Sequence, residues 1–160
     1  MNKIIVAFLL LLLAGISRLS AHCEVPCGIY DDAMRIKMMA EHILTIEKSI
    51  TEIKTLETAE PKNYNQLIRW VTNKDSHATQ LQEIVWQYFM TQRIKSVEPG
   101  QPGYDKYIRE LTLLHQLSVY AMKAKQSLDP ENIKKMRELL RDFEQSYLGT
   151  DHHATDAHHQ

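Results

Sequence analysis

Residues 31–53 read DDAMRIKMMAEHILTIEKSITEI, and this stretch sets the pattern for most of the chain. Its apolar residues recur in alternating steps of three and four, at Ile36, Met39, Ile43, Ile46, Ile50 and Ile53. That spacing places all six on one stripe of an α-helix, with Asp31 or Asp32 as the natural N-cap. We therefore predict a long amphipathic helix that buries one face.

Three later segments repeat the pattern. Their stripes are Leu67, Trp70, Lys74, Ala78, Leu81, Val85 and Tyr88; then Tyr107, Leu111, Leu114, Ser118 and Ala121; then Ile133, Met136, Leu140, Phe143 and Tyr147. All five glycines and all five prolines fall outside the stretches with helical periodicity, and Asp129 with Pro130 is a typical helix start. Four amphipathic segments joined by short connections predict an all-α fold, an antiparallel up-down four-helix bundle over residues 31–148.

Length and charge limit the possible functions. The chain has 160 residues, which suits one domain, and its 19 basic and 20 acidic residues give a formal charge of -1. Nucleic-acid binding by counterion release needs a strongly basic surface, so we predict no nucleic-acid partner. Two cysteines are too few for a disulfide-rich scaffold, and stability must come mainly from packing.

Residues 1–21 have the pattern of a cleaved leader. Lys3 precedes a thirteen-residue apolar run from Ile4 to Ile16, too short to span a bilayer, and Ala21 is a small residue suited to a cleavage site. Cleavage there would start the chain at His22 and leave 17 basic and 20 acidic residues, a formal charge of -3. We expect an exported protein, periplasmic or secreted, if the leader is a signal peptide, and a cytoplasmic one if it is a dedicated propeptide. We expect no stable membrane association after cleavage.

The segment behind the leader carries the chemistry. Residues 22–30 read HCEVPCGIY and contain both cysteines of the protein. With His22 at a free N-terminus, this segment offers an α-amine, an imidazole, an amide nitrogen and two thiolates. Such a donor set suits a d8 ion such as Ni(II), whereas zinc prefers a tetrahedron. A disulfide between Cys23 and Cys27 is the simpler interpretation of two cysteines in an exported protein, and it stays open here.

This segment resembles the N-terminal nickel hook of the nickel-containing superoxide dismutases. The shared residues are His22, Cys23, Pro26, Cys27, Gly28 and Tyr30. The resemblance extends more weakly through Asp31, the four-helix pattern and residues 86–89. It implies an oxidoreductase that converts superoxide to dioxygen and hydrogen peroxide through a Ni(II)/Ni(III) cycle. It also implies one nickel ion per subunit, a homohexamer and a protease that removes the leader.

The resemblance assigns a role to each residue of the hook. His22 supplies its α-amine and an axial imidazole, Cys23 its amide nitrogen and thiolate, and Cys27 the second thiolate. Pro26 and Gly28 shape the loop, while Tyr30 lines a pocket for a small anion. His22 and Tyr30 are the residues we expect to act in catalysis.

The family also orients the axial imidazole with a carboxylate and a basic side chain. Glu41 is our candidate for the carboxylate. Lys74 is the candidate for the basic partner, because it is the one charge on the second apolar stripe and is costly to bury without an anion. Tyr88 is a further candidate, as a hydroxyl contributed by the second helix. Glu24 stands where the family commonly has Asp.

The remaining histidines and the C-terminal residues lie outside the hook. His42, His77 and His115 are single residues on predicted helices, and we interpret them as structural. Residues 149–160 contain two His pairs and lack apolar periodicity, which predicts a disordered tail that could load metal.

Besides the dismutase, two other functions fit the same residues. One is an exported nickel or copper carrier. The other is a helical binding module in which Cys23 and Cys27 form a disulfide.

Overall fold

The computed structural model describes residues 30–149, which fold into four helices. They are α1 (Asp32–Thr58), α2 (Tyr64–Glu83), α3 (Tyr104–Gln126) and α4 (Pro130–Leu148). A π-helical segment, Ile84–Arg93, continues directly from α2. We call α2 and this segment together the second arm of the bundle. No strand occurs between residues 30 and 149, and the predicted all-α four-helix bundle is confirmed.

Side chains just ahead of three helices fix where those helices begin. The Asp31 carboxylate accepts a hydrogen bond from the Met34 backbone N–H at 2.8 Å, and Asn63 accepts one from Gln66 at 3.1 Å. Asp129 accepts from the Glu131 N–H at 3.0 Å, with Pro130 as the first helical residue, as predicted. Each cap satisfies one of the backbone donors that a helix start leaves without a partner.

The core lies between the four helices, each of which packs mainly on its neighbours in chain order, while α4 closes onto α1. All six residues of the first predicted stripe are buried, and the second and fourth stripes also face inward. The prediction for the third stripe was partly wrong. The buried residues of α3 are Glu110, Leu114, Leu117, Ala121 and Ala124.

Ser118 lies beside α2, where its backbone carbonyl accepts a 2.9 Å hydrogen bond from the side chain of Gln82. Leu117 occupies the core position instead of Ser118, since successive residues of a helix point about 100° apart.

The π-helical segment changes the register of the second arm near its end. Its hydrogen bonds span five residues, as in the 2.8 Å bond from the Ile94 N–H to the Phe89 carbonyl. Tyr88, Phe89 and Gln92 are buried along it, and Arg93 is partly buried in its last turn. The segment thus brings two polar residues, Tyr88 and Arg93, to the first turn of α1.

The chain divides into two compact units. One ends at Tyr30 and the other, which contains the bundle, begins at Asp31. The predicted leader (1–21), nearly all of the hook (22–29) and the tail beyond Gly149 lie outside the described residues. None of the described helices combines the length and the hydropathy needed to cross a membrane.

Candidate metal centre and the start of the first helix

Tyr30 is the one residue of the predicted hook that the structure describes. It is non-helical, and 41% of its surface is exposed. His22, Cys23, Pro26, Cys27 and Gly28 lie outside the described residues, so their roles as ligands and supports stay predictions. The chemistry of this donor set fits nickel, since thiolates and nitrogen donors favour soft or borderline transition metals. In the part of the chain that the structure describes, no three His, Cys, Asp or Glu side chains converge on one point.

The first turn of α1 lies in a cluster of four polar side chains, which we call the Asp32 cluster: Asp32, Tyr88, Arg93 and Tyr147. Arg93 holds the Asp32 carboxylate with two hydrogen bonds, from Nε at 2.8 Å and from Nη2 at 2.7 Å. Tyr88 donates its hydroxyl to Oδ1 at 2.7 Å, and Tyr147 donates to Oδ2 at 2.9 Å. Three donors from the second arm and α4 therefore fix the first residue of α1.

The cluster keeps Asp32 ionised. Burial alone would raise the pKa of its carboxyl, but the hydrogen bonds from Arg93, Tyr88 and Tyr147 outweigh burial and lower it. Burial and the bond to Asp32 raise the pKa of Tyr88 to about 12, and the same causes raise the pKa of Tyr147 to about 12. Both phenols are therefore protonated donors at any physiological pH, and the cluster has a fixed charge pattern.

Aromatic packing supports the cluster from the core side. Phe89 makes edge-to-face contacts with Tyr88, Phe143 and Tyr147, with ring centroids 5.0 to 5.4 Å apart. Phe143 also stacks on Tyr147 at 5.3 Å. On α1, the Arg35 guanidinium lies 5.0 Å from the centre of the Tyr88 ring. These contacts restrict both phenol rings, so their hydroxyls are preorganised toward Asp32.

Lys74 lies in a different part of the bundle. It is buried, and its Nζ donates to the Ala124 carbonyl at 2.6 Å, the Lys125 carbonyl at 2.7 Å and the Asp75 carboxylate at 2.9 Å. The two carbonyls belong to the last turn of α3, where a helix lacks internal donors and carries partial negative charge. Lys74 thus links α2 to the C-terminal end of α3.

The three predicted outer partners of His22 occupy separate places. Tyr88 belongs to the Asp32 cluster, at the start of α1. Lys74 precedes Tyr88 by fourteen residues on the same arm, roughly 20 Å of helix. Glu41 is exposed on α1, nine residues beyond Asp32. The structure does not bring these three side chains together, and their predicted roles beside His22 remain predictions.

Sequence reasoning did not identify Arg93, considered Asp32 only as a possible N-cap, and assigned Tyr147 only to a core stripe. The sequence held a weak signal that Asp32 has another partner. Asp31 already serves as the N-cap, so the Asp32 carboxylate is not needed for that role. Which side chains would reach it depends on the π-helical register of residues 84–93, and nothing in the sequence marks that register.

Comparison with known proteins points to one family. The family model for nickel-containing superoxide dismutase matches residues 17–151, a range that includes the whole hook and the whole bundle. No curated protein and no solved structure gives a significant match to the chain.

Proposed function

Because the chain belongs to the nickel-containing superoxide dismutase family, it is an oxidoreductase that disproportionates superoxide with a nickel cofactor, and we propose that the reaction takes place at residues 22–30. The observation that carries this proposal is the HCEVPCGIY segment, which holds every cysteine of the chain and lies inside the matched range. His22, Cys23 and Cys27 are the proposed ligands.

The overall reaction takes two superoxide ions and two protons to one dioxygen and one hydrogen peroxide. When bound by His22, Cys23 and Cys27, nickel would supply the one-electron chemistry of this reaction through its Ni(II)/Ni(III) couple. The residues of the chain must tune that couple: anionic thiolates of Cys23 and Cys27 and a deprotonated amide donate electron density, which makes oxidation of the ion accessible.

Tyr30 is the proposed residue that receives the small anion. Its phenol can donate a hydrogen bond to superoxide and exclude larger reductants, and its exposure leaves the ring accessible. Pro26 and Gly28 shape the loop that carries the ligands. Of the three candidate outer partners of His22, which are Glu41, Lys74 and Tyr88, we propose Tyr88, because its hydroxyl contacts Asp32 in the first turn of α1.

The ligand set requires a processed N-terminus. A free α-amine at His22 exists only after residues 1–21 have been removed, so a leader-processing protease is a proposed partner. The compartment follows from that protease: the protein is exported if signal peptidase removes the leader, and cytoplasmic if a dedicated enzyme does so. Sequencing the N-terminus of protein from separated cell fractions distinguishes the two.

We further propose that the protein is a homo-oligomer, a hexamer as the family resemblance implies, with one nickel ion per subunit. The described surface supports association, because Tyr64, Ile68 and Val71 form an exposed apolar stripe along the start of α2. A second copy covering this stripe would remove it from water.

The proposal is tested by changing the donor set one ligand at a time. Cys23→Ser, Cys27→Ser and a chain that keeps Ala21 ahead of His22 should each lose nickel and dismutase activity, while helical circular dichroism stays unchanged. Tyr30→Phe should keep nickel and turn over more slowly. His115→Gln, a change on an exposed face of α3, is the matched control. Full activity in both serine variants would overturn the proposal.

A further inference from the structure

The bundle holds two histidines face to face on neighbouring helices. His42 lies on α1 and His77 on α2, and their Nδ1 atoms share a 2.9 Å hydrogen bond in which one ring donates and the other accepts. The ring centroids are 5.1 Å apart and the ring planes are inclined by 58°. The sequence showed them as two unrelated single residues, 35 positions apart.

The bundle itself sets the distance between the rings. His42 precedes Ile43 and His77 precedes Ala78, and both of these neighbours are fully buried. A hydrogen bond of 3.0 Å from Asn73 Nδ2 to Ser49 Oγ also links α1 and α2. Each ring is half-buried, so the pair is held on one side and reachable by solvent on the other.

The spacing of the two nitrogens matches a chelate. Two donors at right angles, each about 2.1 Å from a metal ion, lie about 3.0 Å apart, whereas a tetrahedral ion would need about 3.4 Å. Imidazole nitrogen is a good ligand for nickel, copper and zinc. Right-angle geometry is characteristic of octahedral or tetragonal Ni(II) and Cu(II), so these are the two ions that would suit this spacing once a metal ion replaced the shared hydrogen bond.

The charges around the pair permit a bound cation. Lys74 lies one turn before His77, but its Nζ is directed to the α3 carbonyls at 2.6 and 2.7 Å. Glu41 adds an exposed carboxylate beside His42.

We propose that His42 and His77 form a second metal site, a two-imidazole chelate for Ni(II) or Cu(II), with water completing the coordination. It is made of bundle residues and uses none of the ligands of the hook. No third His, Cys, Asp or Glu converges on the pair within residues 30–149, so the ion exchanges with solution more readily than one held by several thiolates.

A stability measurement separates this site from the other metal-binding parts of the chain. Segments 22–27 and 152–159 carry their donors along short stretches, so they bind metal in the unfolded chain as well as in the folded one. His42 and His77 meet only when α1 and α2 are packed, so metal bound to them favours the folded state. The parent for the test is the full chain with Cys23→Ser and Cys27→Ser, and the probe is Ni(II) alone.

Saturating Ni(II) should raise the thermal unfolding midpoint of the parent by about 5 °C or more. His42→Gln and His77→Gln should each abolish that rise, and His115→Gln should keep it. No rise in the parent, or an equal rise in all four proteins, would overturn the proposal.

A second measurement keeps the test independent of the variants' folding. Substoichiometric Ni(II) should selectively perturb the amide resonances of residues near His42 and His77 in the parent. Perturbation confined to residues outside the bundle would equally overturn the proposal.

Discussion

Asp32 and Lys74 are both charged residues removed from water, yet the bundle stabilises them in different ways. Asp32 receives hydrogen bonds from three side chains that come from positions 56, 61 and 115 residues further along the chain. Lys74 donates mainly to two backbone carbonyls at the end of α3 and to its neighbour Asp75. The contacts of Asp32 therefore depend on the identities of distant side chains, whereas the contacts of Lys74 depend on where α3 ends.

This difference determines what each residue stabilises. The Asp32 cluster fixes the first turn of α1 through side chains from the second arm and α4. Lys74 fixes the packing of α2 against α3 instead. We therefore expect changes at Asp32 to weaken contacts between three elements, and changes at Lys74 to weaken the contact between α2 and α3.

The largest expected effect comes from reversing the charge of Lys74. Lys74→Glu would place a carboxylate against two carbonyl oxygens in a buried position, and we expect a loss of about 3–5 kcal/mol in the free energy of unfolding. Lys74→Met removes the donor without adding a charge and should cost about 1–3 kcal/mol. Urea unfolding followed by circular dichroism measures both. Equal stability of the two variants would show that Lys74 does not interact with the end of α3.

Removing the carboxylate of Asp32 is expected to have the next largest effect. Asp32→Ala should lower the free energy of unfolding by about 2–3 kcal/mol, because one charged and two phenolic donors lose their acceptor. Asp31→Ala, the adjacent change, removes only a helix cap and should cost about 1 kcal/mol. If the two alanine variants were equally stable, the cluster would contribute no more than a cap.

Acid should weaken the cluster in a defined pH range. The pKa of Asp32 in the folded state lies below its ordinary value of 3.8, so its stabilising contribution is complete above about pH 4 and is lost as the pH falls through the lowered pKa. The difference in the free energy of unfolding between the native chain and Asp32→Asn should be constant from pH 7 to pH 5 and shrink below pH 4. A difference that grew on acidification would contradict the assignment.

The smallest expected effects come from the two tyrosines of the Asp32 cluster. Tyr88→Phe and Tyr147→Phe each remove one hydroxyl from Asp32 and should each cost about 1 kcal/mol in stability. If Tyr88 is an outer partner of His22, its variant should also change the activity per bound nickel and the spectroscopic signature of the nickel. Tyr147→Phe should leave both unchanged. Identical activity of the two variants would limit Tyr88 to a structural role.

Much of the fold was visible in the sequence, for reasons that particular residues illustrate. The stripe from Ile36 to Ile53 requires nothing but helical periodicity, and all six of its residues are buried. Asp129 with Pro130 marked a helix start, because proline at the first helical position needs no hydrogen-bond partner for its nitrogen. Such local signals do not depend on what lies across the core.

The features that sequence could not show are those that depend on distant partners. The rotation of α3 that buries Leu117 depends on how α3 packs against α2 and α4. The meeting of His42 with His77 depends on how α1 and α2 align. The sequence showed that Lys74 needed a partner and prompted us to expect an anion. The partners observed are largely backbone carbonyls, which no residue type reveals.

At the candidate site, local sequence was enough to propose the ligands but not the tertiary contacts near the start of α1. The ligands could be proposed from the sequence because His22, Cys23 and Cys27 lie within six consecutive residues and can form one coordination sphere without the fold. The side-chain contacts at the start of α1 depend instead on tertiary structure, as the case of Arg93 shows. Its guanidinium reaches Asp32 only through the π-helical turn before it.

The most direct test of the central claim is native mass spectrometry of the protein produced with its own leader and supplied with nickel. One spectrum reports the N-terminal residue, the metal content and the number of subunits. We predict a chain that begins at His22 and carries one nickel ion per subunit in a homohexamer. A metal-free chain lighter by two hydrogens would mean that Cys23 and Cys27 form a disulfide, and it would contradict the assignment of the hook as the nickel centre.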